Sequence, residues 1–242
     1  MTRIVNNCVA LVCLCLFWGQ SLRAADASHS EQIKWGNESV FNEEHNTLGL
    51  FSGVLGGQIV LAGGTSDDYS RWGRNAVCLS ENAGFALYED VLSKPLAYGA
   101  SITLSDGILC IGGRDSSQCY KDVFLVTMQQ GKLNVSEDWP PLPFPLSNAA
   151  GALLDNKVYL FGGRKSVSPS RLSDSFFVLD LSNKSRGWKE LPGYPGCVRE
   201  DAILVVQNNG VSPCLYLLGG QTETEEGLSS CLTDGYVYNP QL

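Results

Sequence analysis

Histidine is nearly absent from this chain: His29 and His45 are the only two in 242 residues. That shortage excludes His-rich zinc or copper centres and leaves almost nothing from which to build a Ser-His-Asp or Cys-His arrangement. Charge is sparse too, at 17% of residues, and no Lys/Arg cluster exceeds two adjacent positions. With a formal net charge of -8, the chain lacks the concentrated basic surface that phosphate-backbone binding needs, so no nucleic-acid partner is expected. No C-x-x-C pair occurs among the nine cysteines, which argues against a zinc knuckle or a thioredoxin-like role. Neither a metal nor a cofactor is expected. Long apolar runs are also missing, because Cys8 to Trp18 falls well short of the ~20 residues that span a bilayer.

That short run has a different use. Arg3 supplies a thin positive start, the apolar stretch follows, and Ala25-Asp26-Ala27 is a small-x-small cleavage signal. Residues 1–27 therefore read as a secretory signal peptide; the alternatives are a buried first helix or an uncleaved anchor. Cleavage after Ala27 leaves a chain of net charge -9, with no membrane partner and a periplasmic or secreted location. Six cysteines remain, Cys78, Cys110, Cys119, Cys197, Cys214 and Cys231. Cys110 and Cys214 lie inside apolar runs and read as small core residues. Cys110 with Cys119, or Cys214 with Cys231, are near enough in sequence to bridge, but spacing does not settle pairing.

What is abundant is glycine, 26 residues, in a chain that is 44% apolar and able to bury a core. Four glycine doublets each end an apolar run: Gly63-Gly64, Gly112-Gly113, Gly162-Gly163 and Gly219-Gly220, spaced 49, 50 and 57 residues apart. Before each doublet lies another small-and-apolar strand, joined to it by Gly56-Gly57, Asp106-Gly107, Asp155-Asn156 or Asn208-Asn209-Gly210. Such turns between apolar runs are hairpin signals. A polar loop and a third strand follow every doublet. A fourth strand is expected to carry Trp139 or Trp188, with Tyr88 near that place in the first unit. A repeat of about fifty residues, each a four-stranded antiparallel sheet too thin to bury both faces, must stack on its neighbours around an axis. The fold class is all-β, a β-propeller with about four blades at residues 48–95, 96–146, 147–197 and 198–242, the last incomplete. In this scheme Ile33-Lys34-Trp35 reads as an orphan fourth strand.

The stretch Ser147-Asn148-Ala149-Ala150, Tyr159-Leu160-Phe161-Gly162-Gly163 and Trp188-Lys189-Glu190-Leu191-Pro192 resembles a kelch repeat. More narrowly, Leu48-Gly49-Leu50-Phe51-Ser52-Gly53-Val54 with Ala62-Gly63-Gly64, and Leu96-Ala97-Tyr98-Gly99-Ala100-Ser101 with Ile111-Gly112-Gly113, resemble the C-terminal blades of the sialic acid mutarotase (N-acetylneuraminate epimerase) family. Pro195-Gly196 and Arg199-Glu200-Asp201-Ala202 resemble its N-terminal blades, an order that suggests the cyclically permuted mutarotases. The resemblance implies a propeller of six or seven blades, so either Trp35 closes a four-bladed ring or this is a fragment of a longer chain, the second being favoured. It also implies an isomerase that interconverts the anomers of a sugar acid, inactive as this fragment. A kelch propeller that binds a protein or glycan without catalysis is the alternative.

No segment matches the family's Glu and Arg pair, so no catalytic residue is assigned. Candidate substrate-binding residues lie where loops leading into the innermost strands and loops after the doublets should converge: Arg199, Asn148 and Tyr98 in the former, Arg114 and Arg164 in the latter. An Arg suits a sugar acid's carboxylate, which it clamps with two parallel hydrogen bonds, and Tyr98 suits a sugar face. Asp67-Asp68 and Glu223 to Glu226 read as solubilising runs, and Asn37, Asn134 and Asn183 head glycosylation triplets.

Overall fold

Strands form where apolar residues alternate with small or polar ones at period two, and they stop where Gly or Asx residues take a left-handed turn. The computed structural model describes residues 48–80, 84–224 and 226–242; the expected signal peptide, Trp35 and Asn37 lie outside the described residues. In the first sheet β1 (Phe51–Leu55), β2 (Gln58–Ala62), β3 (Ala76–Ser80) and β4 (Gly84–Tyr88) pair antiparallel in chain order. The second repeats that order with β5 (Ala100–Thr103), β6 (Ile108–Ile111), β7 (Val123–Gln129) and β8 (Lys132–Ser136).

In the third unit, β9 (Ala150–Leu154) and β10 (Lys157–Phe161) are followed by a small ribbon, β11 (Arg164–Ser166) and β12 (Arg171–Leu172). Strands β13 (Phe176–Asp180) and β14 (Lys189–Leu191) then complete the sheet. The fourth contains β15 (Ile203–Asn208) and β16 (Pro213–Leu218), a ribbon of β17 (Gln221–Glu223) and β18 (Ser229–Cys231), and β19 (Gly235–Tyr238). The two ribbons grow from the loops after the doublets. These are four blades of a β-propeller, with the innermost strands β1, β5, β9 and β15 stacked in order.

Register decides which residues meet. Phe51 opposes Ala62 and Val60 opposes Cys78, so these side chains share the face turned to the second sheet. There they pack with Ile108, Cys110, Phe124 and Val126. The opposite face of the second sheet, with Ile102, Leu109 and Leu125, packs on Val158, Leu160, Phe177 and Leu179. The third interface joins Tyr159, Phe161 and Phe176 to Leu204, Leu215 and Leu217. Each sheet thus becomes stable only by covering its neighbour. The outward faces of the end sheets are apolar and less covered: Leu87 is 47% exposed on the first and Ile203 59% on the fourth. All six cysteines of the described residues are unbridged, with Cys110 and Cys214 buried as core residues.

The doublets are the joints between blades. Gly64, Gly113 and Gly163 donate their backbone N–H to the carbonyl oxygens of Leu96, Leu146 and Arg199 in the next unit, at 2.9, 2.8 and 2.8 Å. The tryptophans sit elsewhere than expected. Strand β8 ends before Trp139, and Trp188 stands just ahead of β14. Both rings nevertheless pack against the core between the second and third sheets, and the Trp188 indole N–H donates to the Pro140 carbonyl at 3.0 Å. Trp188→Phe should keep the packing and lose this bond, lowering stability by about 1 kcal/mol in a urea titration.

Candidate functional site

The strand β1 begins two residues after Gly49, β5 after Tyr98, β9 after Asn148 and β15 after Asp201. These four equivalent residues all take left-handed backbone, with φ of 65°, 60°, 55° and 53°. Their backbones are strung together: Tyr98 donates N–H to Gly49 (2.7 Å), Asn148 to Tyr98 (2.6 Å) and Asp201 to Asn148 (3.0 Å). The conformation aims each N–H at the preceding blade, and Asn and Asp accept it more readily than Tyr does. Gly49 is needed for a further reason, since a Cβ there would stand 2.9 Å from the Tyr98 ring lying over it. Paired bridges Leu48–Thr65, Ala97–Arg114, Ser147–Arg164 and Glu200–Gln221 tie each of these loops to the one after its own doublet. The two kinds of loop therefore do meet at one end of the stack.

Arg114 occupies the most distinctive position there. Its guanidinium lies over the rings of Tyr98 (4.6 Å), Trp72 (5.1 Å) and Tyr69 (5.9 Å). Tyr98 stacks on Tyr69, and the Trp72 indole N–H donates to the Tyr69 carbonyl, which holds the three rings as a set. Among the described residues, no carboxylate stands within ion-pair distance of Arg114. The neighbouring Asp115 carboxylate is turned onto its own loop, where Ser117, Gln118 and Tyr120 donate to it. Burial, with the Tyr69 hydroxyl, pushes the Tyr98 phenol up, so it stays a neutral donor at ordinary pH.

Arg164 is placed at the same end but its charge is engaged. Nε donates to Glu200 at 2.8 Å, and Nη2 reaches both Glu200 and Glu223. The Glu200 hydrogen bonds are the main reason its guanidinium is held even more firmly protonated. Asn148 sits between the second and fourth blades' loops, its Nδ2 donating to Asp201 Oδ1 at 2.9 Å. Asp201 is exposed at the surface, yet partial loss of hydration raises its carboxyl pKa, against the lowering pull of Asn148.

Arg199 stands apart. It is fully buried, with Nη1 and Nη2 donating to the two Asp234 oxygens at 2.7 and 2.9 Å. It also donates to the Tyr194 hydroxyl and the Gly219 carbonyl. The expectation set Arg199 beside Tyr98 and Asn148, but its register partners are Leu96 and Leu146, whose carbonyls receive the same glycine donors. The true counterpart of Tyr98 and Asn148 is Asp201. The second doublet glycine follows it by nineteen residues instead of fifteen, because β15 and β16 are six residues long and their turn is wide. Its position two residues before the inner strand, which Tyr98 and Asn148 share, is the signal that would have found it. Tyr69 and Trp72 were also missed, and an aromatic pair in an otherwise polar loop was their only signal.

A separate cleft of about 240 Å³ opens between the first two blades, lined by Leu92, Leu96, Phe124 and Val135. Its Lys94 is already bound to Asp122 at 2.8 Å.

Comparison with known proteins agrees with this architecture. Residues 139–242 match the family model described as N-acetylneuraminate epimerase. The N-acetylneuraminate epimerase of Haemophilus influenzae (strain PittEE) is 31% identical over 105 residues, covering 43% of this chain and 25% of that protein. That of Yersinia pestis (strain Pestoides F) is 31% identical over 108 residues, 44% of this chain and 25% of the relative. A Kelch domain-containing protein of Vibrio cholerae is 32% identical over 104 residues, 43% and 26% of the two chains. The matched segment thus spans about a quarter of these relatives' length. A solved structure described as "Structure of YjhT" superposes with a TM-score of 0.61 at 14% identity, over 79% of this chain and 68% of that one, a likeness of fold. The resemblance to the epimerase family accordingly stands on the third and fourth blades, and the propeller fold on all four.

Proposed function

We propose that this chain forms part of an exported sugar-acid mutarotase, with Arg114 binding the acid's carboxylate at the open end of the blades. The observation that carries the reading is the Arg114 guanidinium, packed on three aromatic rings and in direct ion pair with no carboxylate among the described residues. A cation desolvated on one side and left without a counter-ion favours an anion of matching shape, and a carboxylate meets a guanidinium through two parallel hydrogen bonds. The rings beside it offer apolar surface to the C–H face of a sugar. The relatives named N-acetylneuraminate epimerase support an N-acetylated nonulosonic acid as the substrate. Anomer exchange itself moves one proton off the anomeric hydroxyl and one onto the ring oxygen, a task for positioned acids and bases. The uncovered apolar faces of the first and fourth sheets support a larger ring in the complete protein.

The test is NMR of freshly dissolved N-acetylneuraminate. The full-length gene product should speed anomer equilibration, and Arg114→Ala should weaken binding of the acid by about tenfold or more, the worth of a charge-assisted pair. Binding without acceleration would favour the non-catalytic propeller; no binding would end the sugar-acid reading.

A further inference from the structure

We infer that Tyr120 is a positioning residue: its hydroxyl holds the Asp115 carboxylate away from Arg114 and so keeps that guanidinium open to the ligand's anion. The inference rests on the reading of Arg114 as the carboxylate clamp and adds what stops the chain from filling the clamp itself.

Arg114 and Asp115 are adjacent in sequence, and a carboxylate beside a half-buried guanidinium is a ready counter-ion. Arg164, in the equivalent place after the third doublet, shows the outcome when carboxylates reach it, since Glu200 and Glu223 take its donors. Asp115 carries its charge as well. Burial pushes its carboxyl up, but the Tyr120 hydroxyl and the Ser117 and Gln118 N–H groups outweigh this and hold it down at about 2. Arg114 nevertheless meets only the main chain of its neighbour, with Nη1 3.5 Å from the Asp115 carbonyl oxygen. The two carboxylate oxygens are tied differently. Oδ1 accepts the Ser117 N–H at 2.7 Å, the Ser117 hydroxyl at 2.8 Å and the Gln118 N–H at 2.9 Å, all within its own turn. Oδ2 has one donor among the described residues, the Tyr120 hydroxyl at 2.5 Å. Gln118 Nε2 donates to that hydroxyl oxygen at 3.1 Å, which leaves the hydroxyl hydrogen for Asp115. Tyr120 is itself anchored. Its N–H donates to the Gly113 carbonyl and its own carbonyl accepts from Leu146, at 2.8 and 3.0 Å. Its ring packs on the core between the first two sheets, with the Lys94 ammonium 4.4 Å from the ring centre. Burial and the Asp115 carboxylate hold the phenol up, so it remains a neutral donor. Without the hydroxyl, Oδ2 loses its protein donor, and the unpaired cation next to it in the chain is Arg114.

The experiment titrates the full-length gene product with N-acetylneuraminate by NMR, as wild type, as Tyr120→Phe, and as Tyr120→Phe combined with Asp115→Asn. Phe keeps the packed ring and removes the hydroxyl, while Asn keeps an acceptor for Ser117 and Gln118 and removes the charge. Tyr120→Phe should bind the acid about fivefold more weakly, as expected when a partly exposed ion pair must be broken first. The double variant should return to within about twofold of wild type, because an amide cannot neutralise Arg114. A Tyr120→Phe protein that binds as wild type does overturns the inference and leaves the Arg114 reading standing. Equal weakening in the single and double variants also overturns it, since the hydroxyl would then serve the shape of the loop alone. Absence of binding by the wild type removes the Arg114 reading and this inference with it.

Discussion

Gly112→Ala should destabilise the protein by about 3 kcal/mol or more, while Gly56→Ala should cost about 1. The two glycines share nearly the same backbone, with φ of 63° and 56°, so the conformational penalty of a side chain is common to both. Their surroundings differ. A Cβ on Gly112 would be driven into the Leu146 carbonyl of the next blade, backbone that cannot swing aside, whereas nothing lies within 4 Å at Gly56. The same step carries the Gly113 N–H to the Leu146 oxygen at 2.8 Å, and that bond would stretch as the sheets move apart. Burial of Leu109, Leu160 and Phe177 between those sheets depends on their spacing, since packing is lost over gaps well under 1 Å. Urea titrations of the two variants measure the difference. Equal losses would mean that the doublet serves only to turn the chain and does not join one blade to another.

The second large effect belongs to Asp234. Arg199 is fully buried and lies against the rings of Tyr194 and Tyr236, at 5.1 and 5.4 Å, and Asp234 is the only carboxylate paired with it among the described residues. Asp234→Ala leaves that guanidinium buried without its counter-ion. Breaking such a pair costs several kcal/mol in a dry interior; because the Asp234 side chain is 40% exposed, water replaces part of the loss, and about 2 kcal/mol is expected. Asp234→Asn, which keeps an acceptor oxygen, should cost roughly half as much.

Acid provides an independent check on the same pair. The Arg199 hydrogen bonds hold the Asp234 carboxyl down at about 2, against 3.8 for the free group. A carboxyl with a depressed folded value contributes its stability above the unfolded value and loses it as pH falls through the folded one. The wild type should therefore lose this part of its stability between about pH 4 and pH 2, and Asp234→Ala should show a shallower acid slope in that window. Coincident slopes would mean that the pair adds nothing to folding.

Much of this architecture was legible from residue order because its rules are short-ranged. A Gly-Gly or Asp-Asn turn needs only its own few residues to close a hairpin, as in Gly56-Gly57 and in Asp155-Asn156 with φ of 49° and 58°. Period-two alternation likewise names the buried face of β1, with Phe51 and Leu55 inward and Val54 exposed, before any partner is known. The site was only partly legible. Tyr98, Asn148, Arg114 and Arg164 are indeed brought to one end of the stack, but sequence offers no way to see that Glu200 would engage Arg164 and leave Arg114 unpaired. Arg199 was misplaced by two residues, because heading the entry loop in sequence does not say which residue takes the left-handed position two before the inner strand.

Residue order alone therefore established the four sheets, their hairpins, the glycine doublets that end the second strands and the kelch resemblance, since turn conformation and strand alternation are local properties of the chain. Tertiary stacking decided which cation is buried, which is neutralised and which stays open. Those outcomes depend on partners distant in sequence, 36 residues for Arg164 and Glu200 on neighbouring blades and 35 for Arg199 and Asp234 across the fourth unit, and such charges meet only once the intervening strands have folded.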